Sequence, residues 1–331
     1  MDFSLDPEQQ ALRDAVREMA GRWDPSDEPG PPAHDPDRWR QLAEMGVLLD
    51  EGVGPVETML VAEELGRARA RTPYADAVLT GSVLAALDHD LLGAVRDGSA
   101  LVLPAMAEPG RSWRSASTVA VDGDTLSGRK GPVSFGAAAT HLVVRTTDGL
   151  RLVESPEVVD GVAELAGATG ELLTGDDDIL VAALNLATTA LLAEAFGAMQ
   201  AAVALTIDYL KTRRQFGVPL ATFQALTHRA ADLYVAQELA RSVVQYAAMT
   251  MADDPADSAT VSRARVVVGR TARLVAQESI QLHGGIGMTA EYAVGHYAAR
   301  LTDLEHTWGD TRQHLAALSH GLTTYGTVDV L

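Results

Sequence analysis

The chain has 331 residues, of which 47% are apolar, with a formal net charge of -19 and no cysteine. Its apolar content is enough for a sizeable core, in one large unit or in two to three smaller ones. The negative charge disfavours non-specific binding to nucleic acid or to an anionic membrane surface, because both require lysine and arginine to neutralise phosphate. The lack of cysteine excludes disulfides, thiolate catalysis and cysteine-ligated metals. The first residues show no basic segment and no apolar run, so we expect no secretory signal and a cytoplasmic protein.

The first hundred residues predict a helical region. Asp6 to Gln9 combine an N-cap, a proline at the first helical position and a capping glutamine. Further helices are predicted at residues 38–45, 55–70 and 74–87, and a loop rich in proline and aspartate at residues 23–36. We therefore expect an N-terminal helical domain over residues 1–99.

The pattern changes near residue 100. Short β-prone runs occur at residues 101–103, 118–121, 141–144 and 150–153. Asp122-Gly123 and Asp148-Gly149 are typical of hairpin turns. These signals predict a compact antiparallel β domain over residues 100–178.

A long helix is predicted next, because residues 181–210 contain no proline and ten alanines. Aspartates precede this segment and basic residues follow it, as the helix dipole favours. Its apolar part could be read as a membrane span, but Asn185 and Glu194 favour burial within protein. Later apolar stripes indicate partner helices, so we expect a C-terminal four-helix bundle over residues 179–331.

Two basic residues beside an aromatic ring follow the long helix, in Arg213-Arg214-Gln215-Phe216-Gly217, and Gln224 comes a short loop later. Arginine can bind phosphate in a bidentate manner. The spacing alone favours a simpler interpretation, in which the basic residues only cap the end of a helix.

Two further segments carry candidate chemistry. Gln281-Leu282-His283-Gly284-Gly285-Ile286-Gly287 could bring backbone close to a pyrophosphate, or could simply end a helix. Residues 303–314 could form an acid–base or metal cluster from Glu305, His306, Asp310, Thr311 and His314. Scattered polar residues between helices are more often solvated, so we expect no metal site.

The order and spacing of these segments resemble the acyl-CoA dehydrogenase family of flavoproteins. The most specific parts are residues 209–224, with Arg-x-x-Phe-Gly and a following Gln, and residues 281–292, Gln-Leu-His-Gly-Gly-Ile-Gly-Met-Thr-Ala-Glu-Tyr. Residues 8–13 and 61–66 are also similar to the family, so the resemblance covers essentially the whole chain. It implies an α+β, mainly α, fold with a helical domain, a middle β domain and a C-terminal four-helix bundle.

In that family, a carboxylate base removes a proton from the α-carbon of an acyl-CoA thioester while FAD accepts hydride from the β-carbon. The resemblance implies that Arg213 contacts the FAD pyrophosphate of a neighbouring subunit. It implies a supporting role there for Phe216, Gln224, Gln281, Gly284, Gly285 and Gly287. Thr311 matches a threonine that contacts the subunit's own FAD. An electron-transfer flavoprotein is the implied electron acceptor.

The chain also departs from the family. The usual catalytic glutamate lies two residues before that threonine, where this chain has Gly309. The alternative base position, near the start of the long helix, corresponds to Ala187. The segment that contacts flavin and substrate is reduced to Ala107-Glu108-Pro109-Gly110-Arg111-Ser112, and the middle domain is short. Such features resemble the base-less subunits of heteromeric actinobacterial acyl-CoA dehydrogenases that act on steroid side chains.

We therefore expect the non-base-bearing subunit of a heteromer, paired with a homologous catalytic subunit. A second hypothesis is a self-sufficient homo-oligomer with a relocated base. Glu194 lies two helical turns beyond Ala187, and Asp310 adjoins Gly309, so either carboxylate is a candidate. A third hypothesis is a flavin-free scaffold or acyl-CoA-binding protein, which has no need of the intact Arg213 motif.

Overall fold

Helices form the N-terminal region of the computed structural model, which describes residues 3–25, 33–113 and 115–321. They are α1 (Pro7–Ala20), α2 (Pro36–Glu44), α3 (Pro55–Arg67), α4 (Tyr74–Ala86) and α5 (Leu92–Arg96). The Asp6 side chain caps α1 by accepting from the Gln9 amide, as predicted. Residues 26–32 of the predicted loop lie outside the described residues.

Short strands make up the middle region. They are β1 (Val102–Ala105), β2 (Ala120–Asp122), β3 (Thr125–Ser127), β4 (Arg129–Lys130), β5 (His141–Arg145), β6 (Leu150–Glu154), β7 (Glu157–Val159), β8 (Val162–Glu164) and β9 (Glu171–Thr174). The largest sheet has the order β1-β5-β6-β9, a second has the order β4-β8-β7, and β2 pairs with β3. The turns predicted at Asp122-Gly123 and Asp148-Gly149 connect β2 to β3 and β5 to β6.

One strand pair differs from the prediction of an antiparallel unit. Strands β1 and β5 are parallel, with Val102 opposite His141. A parallel pair needs a crossover of a dozen or more residues, and the long connection between these two strands satisfies that requirement. The remaining strand pairs of the described middle region are antiparallel.

The C-terminal half is a helical bundle built around one continuous helix. Its elements are α6 (Asp177–Thr212), β10 (Arg214–Gln215), β11 (Val218–Pro219), α7 (Gln224–Asp253), α8 (Ser258–His283), α9 (Ala293–His306) and α10 (Thr311–His320). Helix α6 packs against α7, α8 and α9. Among the described helices, α6 is the one long and apolar enough to cross a bilayer, but most of its apolar window is buried in the protein. It is a core helix, as the sequence indicated.

The N-terminal helices and the bundle meet where α3 crosses α6. A Cβ on Gly66 would overlap the Glu194 carbonyl, and a Cβ on Gly197 would overlap the Glu63 carbonyl. The two backbones therefore touch, which fixes the position of Glu194 relative to the N-terminal helices. Buried residues of all three regions form one hydrophobic cluster. The three domain ranges expected from the sequence stay predictions.

Candidate functional site

The arginine motif forms a small hairpin at the end of α6. Strands β10 and β11 are joined by Phe216 and Gly217, both in the left-handed region, with φ of 52° and 81°. Arg214 supports this turn by donating from Nη2 to the Gly217 carbonyl at 2.8 Å. The Arg213 side chain is exposed, and no hydrogen bond or ion pair engages its guanidinium among the described residues. Arg213 is therefore available to an external anion.

An aromatic stack brings the glycine-rich segment next to this hairpin. The Tyr209 ring stacks on His283 with centroids 4.5 Å apart, and Tyr292 lies 5.0 Å from the same imidazole. The Arg213 amide donates to the Tyr209 carbonyl at 2.8 Å, and His283 directly precedes Gly284. Burial lowers the pKa of His283, whose Nδ1 donates to the Ser279 carbonyl at 2.7 Å. The neutral imidazole serves as a packing surface between the two motifs.

The two motifs expose different groups at this corner. Gly284 and Gly285 are exposed, with Gly284 at a φ of 66°, whereas Gly287 is buried against His283. The amide side chains of Gln224 and Gln281 are also exposed. A guanidinium, two amides and exposed glycine backbone are a donor set that fits a pyrophosphate. We call Arg213, Gln224, Gln281, Gly284 and Gly285 the phosphate corner.

Large apolar side chains surround the phosphate corner. Phe216 is 91% exposed and Met288 is 78% exposed. Exposed apolar groups beside polar ones are typical of a surface that another chain covers. The corner therefore fits a cofactor held between two subunits better than one enclosed by this chain.

A second feature is a cavity of about 430 Å³ between the N-terminal helices, the middle region and the bundle. Gly309 and Glu194, two of the positions discussed from the sequence, both line it. Asp310, Thr311 and the fully buried Ala187 do not. Two larger grooves, of about 1060 Å³ beside His89 and Glu171 and of about 540 Å³ beside Asn185 and His314, contain neither Gly309 nor Glu194. The Gly309 cavity, which we call the central cavity, is therefore the candidate acyl site of this chain.

Trp113 fills the position of the usual base. Gly309 has a φ of 106°, and a Cβ there would overlap the Trp113 indole nitrogen and lie 3.0 Å from the Gln313 amide oxygen. Arg265 holds this loop rigidly, because its buried guanidinium donates to the carbonyls of Gly309, Leu304, Glu305 and Thr307. A glutamate at position 309 would require both a strained backbone and displacement of Trp113.

The two residues after Gly309 have structural partners. Asp310 caps α10, and its Oδ1 accepts a hydrogen bond from the backbone amide of Gln313 at 2.8 Å. Thr311 is 8% exposed, and its amide donates to Glu305 Oε1 at 3.0 Å. The Thr311 hydroxyl packs against Gly269 and has no hydrogen-bond partner among the described residues. Thr311 does not line the central cavity, and its contact with a flavin stays a prediction.

The carboxylates of the central cavity include one that sequence reasoning missed. Glu194 accepts two hydrogen bonds on Oε1 from Arg300, at 2.8 Å from Nε and 2.6 Å from Nη2. Asp76, in the first turn of α4, lines the same cavity. Burial raises the pKa of Asp76 to about 7, with the Arg300 charge opposing and the Glu194 charge adding to the shift. An aspartate in a first helical turn is ordinary in sequence, so no local signal marked it.

The chain matches proteins of known family along nearly its whole length. The profile described as "Acyl-CoA dehydrogenase, C-terminal domain" matches residues 178–312. Acyl-CoA dehydrogenase FadE28 of Mycobacterium tuberculosis is 30% identical over 96% of this chain and 98% of the relative. The chain belongs to the acyl-CoA dehydrogenase family. Acyl-CoA dehydrogenase IpdE2 of the same organism is 32% identical over 81% of this chain and 80% of the relative.

Solved structures confirm the acyl-CoA dehydrogenase fold. The ChsE4-ChsE5 complex from Mycobacterium tuberculosis contains a chain with a TM-score of 0.85 at 23% identity, covering 99% of this chain and 100% of that chain. A Tcur3481-Tcur3483 steroid ACAD variant gives a TM-score of 0.83 at 28% identity, covering 96% and 98%. As an acyl-CoA dehydrogenase, the chain is an oxidoreductase that acts on acyl-CoA, in a family whose members bind FAD.

Proposed function

We propose that this chain is the non-base-bearing subunit of a heteromeric, FAD-dependent acyl-CoA dehydrogenase. One contrast carries the proposal. The position of the base is a left-handed glycine covered by Trp113, whereas the phosphate corner stays exposed. A chain that keeps its phosphate donors and lacks a base fits a site completed by another subunit.

The chain's own part in such a site is to bind and orient. Arg213 would hold a pyrophosphate oxygen pair, with the amides of Gln224 and Gln281 and the backbone at Gly284 beside it. The bound FAD supplies a hydride acceptor. Proton removal from the substrate α-carbon then belongs to a carboxylate of the homologous partner subunit, because the central cavity has none at the usual position.

Two of the similar structures support a partner of this type. The ChsE4-ChsE5 structure is a complex of two named proteins, and the other is described as a steroid ACAD. From the description of the second structure as a steroid ACAD, we propose a bulky, steroid-type acyl-CoA as the substrate class of this chain. The family resemblance adds an electron-transfer flavoprotein as the electron acceptor, and we place the protein in the cytoplasm.

A self-sufficient enzyme with a relocated base is the second candidate, because Glu194 lines the same cavity as Gly309. Its geometry is less favourable for a base. Two charge-assisted hydrogen bonds from Arg300 already engage Glu194 Oε1 and hold this carboxylate in an internal ion pair. Asp310 is engaged as the cap of α10 and does not line the cavity.

The test compares the isolated chain with its mixture with a homologue that carries a glutamate at a standard base position. General-base catalysis contributes about 10² to 10⁴ in rate, so we expect negligible acyl-CoA oxidation by the isolated chain with added FAD, and activity on mixing. Glu194→Gln and Asp310→Asn serve as matched variants. Turnover by the chain alone, abolished by either variant, would establish the relocated base and overturn the partner proposal.

A further inference from the structure

Charged side chains from three helices meet in the wall of the central cavity. Asp76 comes from α4, Glu194 from α6 and Arg300 from α9. Much of the remaining wall is apolar, formed by Pro104, Met106, Phe135, Leu191, Leu304 and Trp308. A cavity lined by both apolar and polar groups can bind a small molecule, whose orientation the polar groups fix.

Asp76 is the member of this group without a partner. Arg300 directs both its Nε and its Nη2 to Glu194 Oε1, so that pair is satisfied within the protein. Among the described residues, none donates a hydrogen bond to the Asp76 carboxyl, and the reaction assigned to the family does not use it. A carboxyl that lines a cavity and has no internal partner can accept or donate a hydrogen bond to a ligand.

The charges around Asp76 indicate the chemistry of that ligand. The charged groups in the cavity wall are Asp76 on α4, Arg111 in the loop after β1, Glu194 on α6, and Arg300 and Asp303 on α9, and the titratable His306 lies at the end of α9. With Asp76 protonated, two positive charges balance two negative ones; with Asp76 ionised, the group has an excess negative charge. A carboxylate on the ligand would therefore be repelled, and an uncharged oxygen would not.

We propose that the central cavity binds an acyl chain that bears an uncharged oxygen, a hydroxyl or a ketone, and that Asp76 recognises this oxygen by a hydrogen bond. The inference goes beyond the proposed function. It concerns a cavity within this one chain and requires neither a partner subunit nor a bound flavin.

The two oxygen types differ in how they depend on pH. A ketone only accepts hydrogen bonds, so it requires the protonated carboxyl; a hydroxyl can also donate to the ionised form. Because burial raises the pKa of Asp76 to about 7, ketone binding weakens as pH rises through about 7, while hydroxyl binding persists. A merely structural aspartate would not distinguish the two ligands in this way.

The experiment measures binding of acyl-CoA probes to the purified chain by titration calorimetry. The probes share one chain length and carry no substituent, or a hydroxyl or a ketone at successive carbons. We expect one position at which the oxygenated probes bind about tenfold more tightly than the plain probe, the size of one good hydrogen bond. Equal affinity at every position would overturn the proposal.

Variants at position 76 identify the recognising group. Asp76→Leu should abolish the preference for oxygen, whereas Asp76→Asn should keep it and remove its pH dependence, because an amide donates and accepts at every pH. Asp232→Leu, the same change at an exposed position of α7, is the control and should alter neither. A preference that survives in Asp76→Leu, or a pH dependence that survives in Asp76→Asn, would refute the role of Asp76.

Discussion

Arg213 and Arg214 are neighbours in sequence, yet of their two side chains only that of Arg214 has a hydrogen-bond partner within the described chain. Replacing Arg213 with alanine should weaken FAD retention in the assembled protein by ~1.5–3 kcal/mol, the value of a charge-assisted contact. Flavin absorbance after gel filtration at limiting FAD measures this. Lys211→Ala, which removes the same charge two residues earlier, is the matched control and should retain flavin. Equal loss of flavin in both variants would show that overall positive charge, and not a specific contact of Arg213, retains the flavin.

Glu108 stabilises the loop after β1, which forms part of the wall of the central cavity. Its Oε1 accepts from Lys130 Nζ at 2.7 Å, Ser117 Oγ at 3.0 Å and the Thr118 amide at 3.0 Å, and its Oε2 accepts from Arg111 at 2.9 Å. Burial raises the pKa of Glu108, but these hydrogen bonds outweigh it and hold the pKa at about 2. This network positions Ala107 and Arg111, which line the central cavity.

Glu108→Gln should lower the free energy of unfolding by ~3–5 kcal/mol at neutral pH, because the fully buried Lys130 loses its counter-charge. A depressed pKa contributes stability above the ordinary value of 4.5, and this contribution is lost as pH falls to about 2. The difference between wild type and variant should therefore shrink over that range in denaturant titrations. A difference that does not depend on pH would contradict the role of the charged form.

At the level of elements, α3 and α6 cross with their backbones in direct contact. Gly197→Ala should destabilise the protein by ~1–3 kcal/mol, because the new methyl group meets the Glu63 carbonyl and separates the helices. Gly93→Ala is the control, since a Cβ at this helical glycine meets nothing within 4 Å and the change should be neutral or slightly stabilising. Denaturant midpoints of the two variants measure the contrast; similar midpoints would show that the crossing can relax.

The elements that the sequence predicts best are those with local signals. The cap at Asp6 and the uninterrupted run of α6 depend on residues a few positions apart, and both predictions are confirmed. The parallel pairing of β1 with β5 depends on strands separated by a long connection, for which no local signal exists. The same reason explains why Asp76 and the contact of Trp113 with Gly309 were missed: both exist only after distant segments pack. The proximity of the Arg213 and Gly284 segments was anticipated only through family resemblance.

For the whole molecule, the two parts that could contribute to a flavin site, the phosphate corner and the region around Gly309 and Thr311, differ in accessibility. The phosphate corner is exposed and chemically intact, whereas Trp113 covers Gly309 in the chain's own cavity and Thr311 packs against Gly269. We therefore expect the assembled heteromer to bind one FAD per pair of chains. The ratio of flavin absorbance to protein at saturating FAD measures this, with the catalytic homologue alone as the reference. A ratio of two per pair would show that this chain also completes its own flavin site.

The contact between Trp113 and Gly309 also has an evolutionary consequence. Placing a glutamate at position 309 by one substitution puts a side chain on a left-handed backbone and against an indole, so this single change is expected to destabilise the chain before it can supply a base. If the chain depends on a catalytic partner, as we propose, then regaining a base at position 309 requires at least two coordinated changes. A gene that encodes such a chain is therefore expected to be inherited and lost together with the gene of its catalytic partner.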